Sequence, residues 1–313
     1  MVFLVKIVFL MNHHLMKYLP LLIPILLLPL CAEENPKPAE APAAEKPAKE
    51  LVDFIRYTEK DQHAMLETAI RSYTNPDGVV VDLVGVVHIA DAAYYKKLNA
   101  QLSGYDAVLY ELVGDPEALK APQNAKDNPL RGIQKMAGQL LKLSFQLDHI
   151  DYSQPNFIHA DLSAERFAEL QKEKGESLMS LFSRAMKMQD SGKLGIDKQD
   201  MQMDLSQILG ALNGEGGSDA LKVVMAKVFD KAESMVDSFE GDDEKKGTVL
   251  LTERNKVVSA KLQESIKDGK KHLAIFYGAG HLSGLDVLIR ELKFESKDEQ
   301  WLAAWTMKLP AKK

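Results

Sequence analysis

Two stretches nearly two hundred residues apart end in the same way. Residues 79–91 read Val-Val-Val-Asp-Leu-Val-Gly-Val-Val-His-Ile-Ala-Asp, and residues 272–281 read His-Leu-Ala-Ile-Phe-Tyr-Gly-Ala-Gly-His. Each is an apolar run of strand length that closes on Gly-x-x-His: Gly85 to His88, then Gly278 to His281. Near-continuous runs of this kind fit strands buried on both faces, which requires helices packed on a sheet. Gly85 lets its strand pass close to a neighbour because it has no Cβ. Asp91 is placed to cap a helix starting at Ala92. Ligands of open α/β sheets bind just outside the carboxyl ends of the strands. Both imidazoles are therefore expected at one rim.

The rest of the chain supplies the elements for such a sheet. Residues 51–58 and 65–74 read as strands, and Asn75-Pro76-Asp77-Gly78 is a turn that makes a hairpin of 65–74 and 79–88. A helix is expected over 92–102, stopping at Gly104. Residues 107–112, Ala-Val-Leu-Tyr-Glu-Leu, form the next buried strand, parallel to the first motif strand. From 128 to about 240 the pattern is helical, opened by Asn128-Pro129, with further helices at 164–174, 178–189, 205–212 and 220–239. This block reads as an insertion that packs over the sheet as a cap. Within it, residues 156–161 form an extended piece that enters a helix capped by Ser163. A long helix follows at 248–268, with Leu250, Leu251, Val257, Val258 and Leu262 on its apolar face. A short helix at 285–291 and a closing hairpin of 293–296 with 301–307 complete the domain. The fold class is α/β (α+β): a mixed central sheet flanked by helices, with the helical insertion at about 128–240.

Charge and cysteine content narrow the field. A net charge of −6 leaves no basic footprint for nucleic acid. With Cys31 as the only cysteine, there is neither an intramolecular disulfide nor a thiolate metal site. Residues 1–32 read as a leader whose second apolar run, 19–30, has the length of a signal-peptide core. Ordinary cleavage near Ala32 competes with a bacterial lipobox reading of Leu27-Leu28-Pro29-Leu30-Cys31, which would lipidate Cys31. Residues 33–50, rich in Pro, Ala, Glu and Lys, form a solvated tether, and 51–313 the folded domain. The expectation is a protein exported by a bacterium, periplasmic or anchored, that meets the membrane only through its leader or a lipid.

The candidate chemistry gathers at the strand ends. Glu111 stands at the end of an otherwise hydrophobic strand, where a carboxylate is costly unless paired or bound to a cation. His88, Glu111 and His281 could hold a divalent metal with open positions for water and substrate. A metal-free version has one histidine as general base, oriented by Glu111. Arg254, on the long helix, could bind a substrate carboxylate or an oxyanion. Its neighbours Glu253 and Asn255 fit either an extension of the site or a solvated helix face. His159 and Asp161, two apart on an extended piece, could add a further polar contribution or serve as a hydrogen-bonded His and a cap. The run Gly278-Ala-Gly280-His-Leu-Ser-Gly284 also resembles a dinucleotide-binding glycine turn, but no βαβ unit with a ribose-binding acid follows it. The methionines of the insertion are core filling rather than cofactor ligands. Covalent acyl transfer has neither a serine elbow nor a catalytic cysteine to work with.

At Gly85-Val-Val-His88, Tyr110-Glu111, Glu253-Arg254-Asn255 and Tyr277-Gly-Ala-Gly-His281 the chain resembles the TraB/GumN family, which is related to the Tiki metalloproteases and the wider erythromycin-esterase and ChaN-like group. His159-Ala-Asp161 fits the resemblance less specifically. The likeness spans most of residues 79–307. It implies a mixed sheet flanked by helices with a helical insertion, and a metal-dependent peptidase or related hydrolase. Carried over position by position, His88, Glu111, Arg254 and His281 are the site, with His88, Glu111 and His281 as metal ligands. Manganese or cobalt is the implied ion, with zinc as a further choice. The expected activity is hydrolysis of a peptide or a small amide or ester. The alternative is a non-catalytic binder of haem, metal or a signalling peptide on the same scaffold, and a third reading is a structural envelope protein.

Overall fold

The computed structural model describes residues 52–119, 141–177, 179–181, 183, 217–241 and 247–309. The leader, Cys31, the tether, the helix expected to open at Asn128-Pro129, the helix at 205–212 and most of the one at 178–189 lie outside these residues.

The strands are β1 (Ile55–Lys60), β2 (His63–Thr74), β3 (Val80–Val86), β4 (Ile89–Ala90), β5 (Ala107–Tyr110), β6 (Ser144–Phe145), β7 (Phe157–His159), β8 (His272–Gly278) and β9 (Glu295–Lys308). The helices are α1 (Ala92–Leu102), the single turn α2 (Gln146–His149), α3 (Ala164–Glu173), α4 (Gly217–Gly241), α5 (Arg254–Lys267) and α6 (Leu282–Glu291). A π-helical turn, Val249–Glu253, leads into α5.

The main sheet runs β1-β2-β3-β8-β5-β7, with β9 paired to β2. Its two halves differ in kind. β3, β8, β5 and β7 are parallel, whereas β1, β2, β3 and β9 pair antiparallel. The first motif strand and β5 are parallel, as expected, but β8 lies between them. The expected hairpin is present: Asn75 accepts from Gly78 N–H through its backbone and from Val79 N–H through its side chain, and Gly78 has φ 75°. Leu273 to Tyr277 of β8 and Leu83 to Val86 of β3 are buried, matching the all-apolar runs.

Three expectations are corrected. The closing hairpin is a single fourteen-residue strand, β9, lying along β2 with two register shifts. Its wholly polar stretch Glu295–Gln300 is drawn into pairing because the long β2 offers a full edge. Asp91 occupies the N-cap position of α1 without capping it, since its carboxylate accepts from Thr306 N–H of β9 instead. The expected helix 248–268 begins with a π turn, and its α-helical part starts at Arg254. Within the insertion, α4 packs against β1, β2 and β9, on the antiparallel half. Asp230 of α4 accepts from Tyr57 N–H there, and Phe229 meets the Trp305 ring edge-on.

Gly85 shows why the motif strand has a glycine there. A Cβ at this position would come within 3.1 Å of the Ala69 carbonyl oxygen on β2 and 3.1 Å of Leu282 Cδ1 on α6. The leucine can turn aside, but the carbonyl belongs to the sheet. Gly85→Ala should lower the unfolding free energy by about 1–3 kcal/mol, read as a lower urea midpoint at unchanged slope.

Candidate active site at the C-terminal edge of the parallel strands

The parallel half of the sheet delivers its polar residues to one edge. His88 lies two residues past β3, Glu111 directly after β5, Asp161 two residues past β7, and His281 three residues past the end of β8. Arg254 comes from the first turn of α5. That turn is held in place by its approach. Thr248 Oγ1 accepts from Leu251 N–H, and the Glu176 carboxylate accepts from Val249 and Leu250 N–H, neutralising the exposed donors of a helix start. Val249 and Val257 pack with Leu162, Phe167 and Leu170, which ties α3 to the start of α5.

Arg254 is buried and all of its N–H groups are committed. Nε donates to Asp161 Oδ1 at 2.9 Å, and Nη2 donates to Asp161 Oδ2 and to Glu111 Oε1, each at 2.6 Å. Nη1 donates to the Leu250 carbonyl at 3.3 Å and to His281 Nε2 at 3.1 Å. A guanidinium has five N–H bonds, and these contacts use them all. The expected role of Arg254 in gripping a substrate carboxylate or oxyanion therefore has no donor left to perform it. The side chain instead fixes Asp161, Glu111 and His281.

Glu111 is held from two sides. Its Oε2 accepts from the Gly278 N–H at 2.6 Å, while Oε1 faces Arg254 and lies 3.7 Å from His281 Nε2. A Cβ on Gly278 would sit 3.0 Å from Glu111 Oε2, so the second motif needs its first glycine to admit this carboxylate. The same contact uses the N–H that a dinucleotide phosphate would have sought. Burial opposes ionisation of Glu111. The Arg254 charge, with smaller help from the histidines and the Gly278 N–H, outweighs it and holds the carboxyl well below its usual range.

His281 is neutral with a defined tautomer. Its Nε2 accepts from Arg254, so Nδ1 carries the proton and donates to Asn255 Oδ1 at 2.8 Å. The Asn255 amide returns a bond to the His281 carbonyl. Burial, with the Arg254 charge beside it, pushes the imidazole down to about 3 against the pull of Glu111. Asn255 thus belongs to the cluster. Tyr277 closes it from β8 with its hydroxyl on the Ala160 carbonyl and its ring edge toward His281.

His88 stands half-buried, near enough to be an electrostatic neighbour of Glu111 and His281. Its Nδ1 meets Gln146 Oε1 at 2.9 Å. The remaining candidates separate. Asp161 is at the centre of the cluster. His159 turns to the Leu112 carbonyl at 2.7 Å and pins the segment behind Glu111. Glu253 points away, paired with Lys174 at 2.7 Å and Lys256 at 2.9 Å. Sequence reasoning missed Gln146, Tyr152 and the Gly278 N–H. Tyr152 receives the Gln146 amide at 2.8 Å and stacks at a tilt on Tyr110.

The donor set fits a divalent ion in part. Among the described residues, His88 Nε2 has no hydrogen-bond partner and Glu111 keeps unused lone pairs, but His281 Nε2 is taken by Arg254. The cluster holds two carboxylates against one guanidinium and one neutral imidazole, so a negative charge is left over for a cation to balance. Among the described residues, no group of three or more His, Cys, Asp or Glu side chains stands ready in ligand geometry.

The TraB/PrgY/gumN family model matches residues 69–295, well over half of the chain, and the chain belongs to that family. Neither the curated proteins nor the solved structures gave a match.

Removing the hub should be severe. Arg254→Met leaves two carboxylates facing each other without their cation, and a loss of about 3–5 kcal/mol is expected. Arg254→Lys should recover little, since an ammonium cannot reproduce the fork. Acid should act early. Below the ordinary imidazole value of 6.5, the unfolded chain takes up a proton at His281 that the folded chain refuses until about 3. Below 4.5, Glu111 adds a second such proton. Both groups make stability rise with pH, so the urea-unfolding free energy should fall from about pH 6.5 downward. His281→Gln should remove the upper part of that slope.

Proposed function

We propose that this member of the TraB/PrgY/gumN family is an exported hydrolase that cleaves a peptide or another amide or ester at the C-terminal edge of β3, β8, β5 and β7. The observation that carries this reading is the unbalanced negative charge of the Arg254 cluster, set beside a half-buried His88 whose Nε2 has no hydrogen-bond partner among the described residues. Export is supported by the apolar leader and the tether that follows it.

The chemistry runs through His88 as general base. Its Nε2 takes a proton from the water that attacks the carbonyl carbon, and the imidazolium that forms is stabilised by the excess negative charge of Glu111 and Asp161. It returns the proton to the departing amine or alcohol as the C–N or C–O bond breaks. Arg254 keeps Glu111 ionised and in place, acting as a fixed positive charge rather than as a donor to substrate. Asn255 keeps the His281 proton on Nδ1 and its ring oriented, while burial and the Arg254 charge keep the imidazole neutral. The tilted rings of Tyr110, Tyr152 and Phe157 offer an apolar wall beside Glu111 for a substrate side chain.

A divalent ion such as manganese, cobalt or zinc would be held by His88 Nε2 and a Glu111 oxygen. His281 would join only by releasing Arg254 Nη1. Such an ion, once bound, supplies a water of lowered pKa and a Lewis acid. The charge left over by the cluster favours it, and the commitment of His281 opposes it. The spent donors of Arg254 favour a second reading, a binder of haem, metal or a signalling peptide without turnover.

The purified chain, incubated with a peptide and ester library with and without chelator and each of the three ions, tests these readings. Turnover should fall on the order of 100-fold or more in His88→Ala and Glu111→Gln, with far-ultraviolet dichroism unchanged. Loss of turnover on chelation would add the ion to the site. Absence of turnover under every ion, with a ligand retained, would replace the hydrolase with the binder.

A further inference from the structure

We propose that Gln146 is a positioning residue for His88: its side-chain carbonyl holds the imidazole with the proton on Nδ1, so that Nε2 presents its lone pair to the site. The inference rests on the reading of His88 as the reactive imidazole.

Backbone and side chain both tie the two residues together. β6 (Ser144–Phe145) pairs antiparallel with β4 (Ile89–Ala90), placing the residue after β6 opposite the residue before β4. The Gln146 N–H donates to the His88 carbonyl at 3.0 Å. The side chains then meet at 2.9 Å between Gln146 Oε1 and His88 Nδ1. Gln146 is only 5% exposed although it opens the single turn α2 and is followed by the exposed Leu147. A buried primary amide has to spend both ends. The nitrogen end donates to the Tyr152 hydroxyl at 2.8 Å, which leaves the oxygen end to accept from His88. A reversed amide would put its N–H on Nδ1 and force the proton to Nε2, closing the lone pair that either proton abstraction or cation binding needs.

The neutrality of the amide also matters. A carboxylate in its place would accept from Nδ1–H as well, but would add a further negative charge to a centre that already has one too many. Partners of this kind, on the far nitrogen of a functional histidine, fix its tautomer and ring plane.

Long-range proton–nitrogen correlation spectra of the imidazole groups distinguish the two tautomers. The His88 signal is assigned by its loss in His88→Asn and recorded at about pH 8, above the usual imidazole range. The wild-type chain should show the Nδ1–H pattern. Gln146→Met, which keeps the length and removes the acceptor, should shift it toward Nε2–H and lower turnover on the order of 10–100-fold. Gln146→Glu should keep the Nδ1–H pattern. An Nε2–H pattern in the wild-type chain, or an unchanged pattern in Gln146→Met, would overturn the proposal. If the wild-type chain hydrolyses nothing, the hydrolase reading fails while the spectra still decide the role of Gln146.

Discussion

The guanidinium of Arg254 is the interaction on which the rest of the site depends. It is the only positive charge among Glu111, Asp161 and the neutral His281, and each of its five N–H bonds is directed at a neighbour. Two carboxylates brought together in a buried pocket repel one another and lose their hydration. A planar fork between them resolves both problems, because it offers separate donors at fixed angles. Its position is in turn set by the π turn before α5 and by the Glu176 and Thr248 caps. Residues with no part in the chemistry therefore set the geometry of those that have one.

The parallel half of the sheet explains how separate segments reach this point. β3, β8, β5 and β7 run side by side in one direction, so the residues one to three positions past their ends gather at one edge. Glu111 and Gly278 show the economy of the arrangement. The carboxylate leaving β5 fills the space that a side chain on the last residue of β8 would occupy. A glycine is needed in one strand because a glutamate ends its neighbour.

Much of this was legible in the sequence, for physical reasons that vary by element. Buried strands announce themselves by continuous apolar runs, so β3, β5 and β8 were readable, as was α1 to the residue. The Asn-Pro-Asp-Gly turn gave the β2–β3 hairpin. His88, Glu111 and His281 stood out as polar residues at the ends of apolar strands, and Arg254 as a break in the apolar pattern of a long helix. Their partnership did not: nothing in one dimension indicates that Arg254 spends every donor inside the protein. Asp161 and Asn255 read equally well as a cap and a solvated helix face. Gln146 left no trace, because its role comes from a two-residue bridge between β4 and β6 that has no periodicity. β9 was misread for the opposite reason. Its polar first half lacks a strand pattern, and it is extended only because β2 provides a complementary edge across more than two hundred residues.

That last pairing has a consequence for the order of assembly. β2 is flanked on one side by β1 and β3, which are close in sequence, and on the other by β9, which lies near the far end of the chain. Closure of so distant a contact is slow relative to local hairpins. During synthesis the early meander of β1, β2 and β3 carries an open edge until β9 has emerged, and such an edge invites pairing with other chains. The long strand that completes the sheet therefore also acts as its seal.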